Sequence, residues 1–184
     1  MNGRSKRNET CLGLRLGCEA DIEALRSISA EARVRYRSVP ELAVVADSLP
    51  VGRDRFAACR ISIAFAKDGH AILGFALTRP LDGLLYLDNI SGASAASGIG
   101  VGAILLSDTL DHARSQALPA VTLTTFRTPR WNGPWFRRHG FQTMPETRVG
   151  TGLRAVMDRQ ALSFDPTTRE TLWREAQNSI GDSG

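Results

Sequence analysis

The sequence is short of cysteine, of aromatics and of long apolar runs, and each shortage removes a class of protein. Its three cysteines, Cys11, Cys18 and Cys59, are odd in number and lack metal-site or disulfide spacing. The expectation is therefore buried or inert thiols and no metal. No run of about 18 apolar residues occurs, which excludes a membrane-spanning helix. The basic start Arg4-Ser5-Lys6-Arg7 has no apolar segment behind it, so it does not read as a secretion signal, and a cytoplasmic protein without a membrane partner is expected. Aromatics make up 7% of the chain, and neither arginine cluster, Arg33-Val34-Arg35-Tyr36-Arg37 or Arg137-Arg138, shows the aromatic-interleaved pattern of a nucleic-acid surface. The net charge of +4 is explained as well by a phosphorylated cofactor as by nucleic acid.

What is present is the material of one ordinary domain: 184 residues, 42% hydrophobic and 23% charged. Residues 1–10 read as a disordered tail, 11–162 as a single domain, and 163–184 as a helical, partly disordered C-terminal tail. Leu12, Leu14 and Leu16 alternate as a strand, and Ile22, Leu25, Ile28 and Ala32 recur at helical intervals. A shorter helix is expected from Pro40 to about Leu49. Two apolar runs flank the hairpin dipeptide Asp68-Gly69, and the turn Pro80-Leu81-Asp82-Gly83 leads to a third run, Leu84 to Ser91. A helix to about Ala117 follows, then a strand over Val121 to Phe126 and a short helix after Asn132-Gly133-Pro134. Closing strands are expected at Phe141 to Met144 and Leu153 to Met157, with a frayed helix from Pro166 to Ala176. The order describes an α+β domain with a mixed sheet, in which an antiparallel meander adjoins a βαβ unit.

The βαβ unit begins at Ser97-Gly98-Ile99-Gly100-Val101-Gly102-Ala103. Glycines on alternate positions before a helix let successive N–H groups converge on an anion, the arrangement that holds a pyrophosphate. No Lys-Ser/Thr pair follows, as a nucleotide P-loop needs, and no acidic residue ends a second strand about 20 residues on, as a dinucleotide fold requires.

Three segments together resemble the GCN5-related N-acetyltransferase (GNAT) family over residues 12 to 160: Leu87-Asp88-Asn89-Ile90-Ser91-Gly92, Ser97 to Leu106, and Thr124 through Trp131-Asn132-Gly133-Pro134-Trp135-Phe136 to Gly140-Phe141. The resemblance implies a mostly antiparallel mixed sheet flanked by helices, with a splayed central strand. It also implies acetyl-CoA, or another short acyl-CoA, bound by Ile90, Ser91 and Gly92 on the bulged strand, by the loop Ser97, Gly98, Ile99, Gly100, Val101, Gly102 and Ala103, and by Asn132 and Phe136. Ser97 departs from the family's Arg or Gln, which implies either a lower cofactor affinity or a charge supplied by a nearby arginine such as Arg137 or Arg138.

The implied reaction is direct attack of a primary amine on the thioester, which calls for a base and a proton donor. Asp88, placed by alternation beside Tyr86 and opposite Asn89, is the candidate base; the same residue also fits a solvated hydrogen-bonding role. The family's tyrosine falls on Phe136, which has no hydroxyl, leaving Tyr86 or His139 as substitutes. Arg33, Arg37 and Asn89 are candidate substrate residues; Arg33, Arg35 and Arg37 end the first helix, where the resemblance implies the acceptor site, so they suit a carboxylate-bearing amine, and they fit a solvated basic face as well. An amino-acid-like metabolite or an amine-bearing antibiotic or toxin fits as the acceptor. The rival readings are an acyl-CoA-binding module without turnover and an acetyltransferase for protein lysines or N-termini. A homodimer is compatible with the resemblance, but nothing in the sequence demands it.

Overall fold

Apolar residues in the middle strands alternate between two sets of partners, so the sheet must be covered on both faces. In the computed structural model, which describes residues 11–176, Ala64, Ala76, Leu85 and Leu87 belong to one core cluster, while their neighbours Ile63, Phe75, Leu77 and Tyr86 belong to others. A period of two with both phases apolar produces this double-sided sheet.

Seven strands form the sheet: β1 (Leu12–Leu16), β2 (Arg60–Ala66), β3 (Ile72–Leu81), β4 (Leu84–Gly92), β5 (Ala120–Phe126), β6 (Gln142–Thr143) and β7 (Arg169–Glu175), in the order β1-β2-β3-β4-β5-β7-β6. Only β4 and β5 are parallel; the other pairs are antiparallel. Helix α4 (Val101–Ser115) covers one face through Leu105, Leu106, Leu110 and Ala113, and α5 (Gly133–Arg138) joins it through Phe136. Helix α1 (Ile22–Arg33) packs Ile22, Leu25 and Ile28 on the other face, with Phe56 of α3 (Arg53–Ala57). The mixed, mostly antiparallel sheet expected from the sequence is therefore present. No helix among the described residues is long and apolar enough to cross a membrane.

Four secondary-structure expectations are corrected. The segment read as a closing strand at Leu153 to Met157 lies in helix α6 (Thr151–Ala161), where Leu153 and Val156 pack under Tyr86 and Met144. Over so short a run the apolar residues fit both periods: Leu153, Ala155 and Met157 alternate, while Leu153, Val156 and Met157 fall at helical intervals. The helix expected from Pro166 to Ala176 is strand β7, with all seven residues paired to β5, so the domain runs on past 162 and the helical-tail reading fails. An unpaired edge on β5 supplies the backbone partners, and Thr171, Leu172 and Trp173 suit a strand. Of the strand at Phe141 to Met144 only Gln142–Thr143 forms, and the helix expected from Pro40 is a 3-10 turn followed by the short α2 (Ala43–Ala46). Residues 1–10 and 177–184, where the tail readings also fall, lie outside the described residues. Cys11 and Cys18 are exposed and Cys59 is half-buried, all three as free thiols.

The tight two-residue hairpin is at Asp82-Gly83, with φ of 50° and 76° and Leu81 paired to Leu84. The Asp82 carboxylate then accepts from the N–H groups of Gly152 at 3.0 Å and Leu153 at 2.8 Å, capping α6 from across the fold. Replacing Asp82 with Ala removes that cap and places a poorer residue at positive φ. A loss of about 1 to 2 kcal/mol is expected in urea unfolding, with Asp82→Asn losing less.

Candidate active site

Strands β4 and β5 pair at only two positions, Leu85 with Val121 and Tyr86 with Thr122, and then separate. Strand β4 stays on β3 along its length, while β5 follows β7 over seven pairs. Between Leu77–Asn89 and Thr78–Leu87 the β3–β4 register slips by one, which makes Asp88 the extra residue of a bulge. The wedge opened by this divergence is a cavity of about 210 Å³. It is walled by β4, β5, the end of α1 and the turn that follows it.

The bulge corrects one expectation. Strict alternation places Asp88 and Asn89 on opposite faces, yet both line the cavity because the extra residue interrupts the pleat. Arg55 of α3 donates from Nε to Asp88 Oδ2 at 2.8 Å and from Nη2 to the Asp88 carbonyl at 3.1 Å, and the aspartate side chain is 10% exposed. Asn89 Oδ1 accepts from Ser91 Oγ at 2.8 Å. The buried Tyr36 hydroxyl donates to Asn132 Oδ1 at 2.8 Å, and Asn132 Nδ2 donates to Thr125 Oγ1 at 3.1 Å. Tyr36 is held edge-on by Phe126 and Trp131. Asn132 stands at the start of α5 without a side-chain capping bond; it fixes the phenol instead.

A second concavity runs from β4 to the glycine loop and shares Ala32, Arg35, Ile90, Ser91 and Trp131 with the first, so the two are continuous. Gly98 and Gly100 hold φ of 82° and 92°, which a side chain would strain. The N–H groups of Gly98 through Ala103 have no acceptor among the described residues. A row of free N–H groups entering a 15-residue helix fits a pyrophosphate. Gly74 lets this corner close, because a Cβ there would lie 2.6 Å from both the Ser91 carbonyl and Val101 Cγ1. The cation on this groove is Arg35. Arg137 is committed to Glu170 at 2.8 and 2.5 Å, and Arg138 reaches the Arg130 carbonyl, so neither supplies the charge that Ser97 lacks.

The structure therefore gathers Ile90, Ser91, Gly92, Ser97, Gly98, Gly100, Val101, Gly102 and Ala103 on one groove. Ile99 points outward, 42% exposed. Asn132 and Phe136 line the β4–β5 cavity instead. Tyr86 does not line it: its oxygen lies 3.2 Å from Thr124 Oγ1, which already receives Gln160 Nε2 at 2.9 Å and Arg169 Nη2 at 3.2 Å. Burial pushes the Tyr86 phenol up from its ordinary pKa. His139 turns its ring onto Trp135 and its Nδ1 to the Trp135 carbonyl. Arg37 is outside the cavity and pairs with Asp47 at 3.2 Å; Arg33 lines it, but donates to the Ser48 and Leu49 carbonyls.

Sequence reasoning missed Arg55, Gln160 and Arg169, and read Tyr36 only as part of a basic cluster. The one available signal was that the chain has two tyrosines, so a phenol in the site had to be Tyr36 or Tyr86. Cys59 lies close enough to Asp88 to feel its charge; burial first, and then that carboxylate, push its thiol to about 11, so it is no nucleophile near neutrality. Asn132→Ala leaves the Tyr36 hydroxyl and Thr125 Oγ1 without partners. It should cost about 2 kcal/mol in urea unfolding, within the range for orphaned buried groups.

No protein-family model matches the sequence. The chain superposes over 90% of its length on the PaiA N-acetyltransferase of Thermoplasma acidophilum in complex with coenzyme A, covering 99% of that chain, with a TM-score of 0.66 and 12% identity. It is equally similar to an acetyltransferase of the GNAT family from Staphylococcus aureus, with 91% and 100% covered, a TM-score of 0.65 and 11% identity. N-acetylglutamate synthase from Neisseria gonorrhoeae, complexed with coenzyme A and N-acetyl-glutamate, matches 91% of this chain at a TM-score of 0.65 and 17% identity. The chain spans only 36% of the length of that synthase. The fold of this protein is the GNAT fold.

Proposed function

We propose that the protein is an acetyl-CoA-dependent N-acetyltransferase that acetylates a primary amine of a small molecule. One observation carries the reading: the free N–H row from Gly98 to Ala103 opens into the same groove as the β4 backbone that β5 leaves unpaired. That groove continues into a closed-in polar cavity. The structures of the same fold named above include N-acetyltransferases crystallised with coenzyme A.

Acetyl-CoA, when bound, supplies the activated acetyl group. The residues that would hold it are Gly98 through Ala103 on the diphosphate, Arg35 beside them, and Ile90, Ser91 and Gly92 along the pantetheine arm. Main-chain N–H groups of β4 beyond Tyr86 are fixed in place by pairing with β3, so they can stabilise charge on the carbonyl oxygen without reorganising. Asp88 attracts the ammonium form of the acceptor, and its remaining oxygen takes the proton directly or through water. Arg55 keeps that carboxylate at the bulge. Tyr36 is the one tyrosine lining the cavity among the described residues and stands in as proton donor for the hydroxyl that Phe136 lacks. The cavity, about 210 Å³ and lined by many polar side chains, suits a small polar acceptor.

The second reading, acyl-CoA binding without turnover, is favoured by the Arg55–Asp88 ion pair and by Phe136. Thiol release from acetyl-CoA across a panel of amines separates the two: release with at least one amine is expected, and tight acetyl-CoA binding with no release selects the binding module. Gly100→Ala places a side chain at φ 92° in open space, so the fold should survive while the loop is strained by about 1 to 2 kcal/mol. Calorimetry should show coenzyme A bound about tenfold more weakly by this variant. Unchanged affinity would remove the loop from the binding site.

A further inference from the structure

We infer that the acceptor amine also carries a carboxylate, and that Arg169 of β7 receives it; the inference rests on the acetyltransferase reading and specifies its substrate class. Four guanidinium groups line the β4–β5 cavity, those of Arg33, Arg35, Arg55 and Arg169, against one carboxylate, Asp88. Arg55 is matched by Asp88, Arg33 is tied to two backbone carbonyls, and Arg35 lies at the mouth, 5.3 Å over the Trp131 ring. Arg169 is left inside without an anion.

Its contacts are all neutral. Arg169 Nε donates to Gln160 Oε1 at 3.1 Å and Nη2 to Thr124 Oγ1 at 3.2 Å, while the guanidinium lies 4.6 Å from the Phe126 ring centre and 5.5 Å from that of Phe164. No carboxylate among the described residues pairs with it, and Nη1 has no acceptor there. Burial pushes its pKa below the ordinary arginine value, and the Tyr86 and Tyr36 phenols, not a carboxylate, act against the effect. The adjacent residue shows that the fold can satisfy a buried charge here: Glu170, 2% exposed, is met by Arg137 at 2.5 Å and Arg127 at 3.7 Å. Arg169 is half-buried, and a guanidinium partly withdrawn from water gains by acquiring an anion. The two phenylalanines hold the planar fork in one orientation, which suits bidentate capture of a carboxylate.

A carboxylate on Arg169 and an ammonium toward Asp88 make the cavity complementary to both ends of an amino acid. At about 210 Å³ it accepts a molecule of that size.

The test compares the common amino acids with their α-carboxamides as acceptors for the wild-type chain with acetyl-CoA, reading thiol release. At least one acid should be acetylated with kcat/KM about tenfold or more above its amide. Arg169→Gln should raise KM for that acid about tenfold more than it raises KM for the amide, with Arg169→Lys recovering part of the difference. Amides accepted as well as acids, or neutral amines accepted while every acid is refused, would overturn the inference even if the variant failed to fold. If coenzyme A binds but no amine releases thiol, the transfer reading fails and calorimetry decides the anion site alone. In that case N-acetyl amino acids should bind the coenzyme A-loaded chain about tenfold tighter than their amides; equal or undetectable binding of the two refutes it.

Discussion

Two parallel strands that pair at Leu85–Val121 and Tyr86–Thr122 and then part create every feature of the site. A sheet that stayed zipped would satisfy its own backbone and leave no room for a ligand. Here β5 is held by β7 and β4 by β3, so both strands are ordered while the edges facing each other are free. Unpaired backbone groups inside a protein need water or a ligand to complete them. The divergence thus produces a rigid row of donors at the point where the α4 helix begins.

The polar groups around the wedge divide into those the fold satisfies and those it leaves open. Glu170 is matched by two arginines, Asp88 by Arg55, and the Asp108 carboxylate by Arg60 at 2.8 Å and Ser62 at 2.6 Å. The Gly98 to Ala103 N–H row and the Arg169 guanidinium are left open, and both border the connected concavities. Donors and positive charge are what remain unfilled, which is the complement of a phosphorylated cofactor and an anionic acceptor.

Local signals in the sequence reached the parts of this design that are local. The alternate glycines placed the loop and the start of α4, the stripe Ile22, Leu25, Ile28 and Ala32 placed α1, and the turn dipeptides placed the meander. Short apolar runs with spacing compatible with both periods did not, so α6 was read as a strand and β7 as a helix. That exchange hid the site's far wall, because Gln160 and Arg169 come from those two elements. The bulge at Asp88 was also invisible, since nothing in a single strand's pattern says where its partner's register slips. Tyr36, Arg55 and Asp88 meet only after α1, α3 and β4 have packed, and no spacing along the chain encodes that meeting.

Hydrogen exchange of the full chain with and without saturating acetyl-CoA addresses the wedge and its donor row directly. Amides from Gly98 to Ala103, free of acceptors in the unliganded protein, should exchange fast and slow by about tenfold or more on binding, together with amides of Leu87 to Gly92. Amides of β1 and β2, which lie away from the groove, should be unaffected. Binding that leaves exchange at Gly98 to Ala103 unchanged would contradict a cofactor held by that backbone.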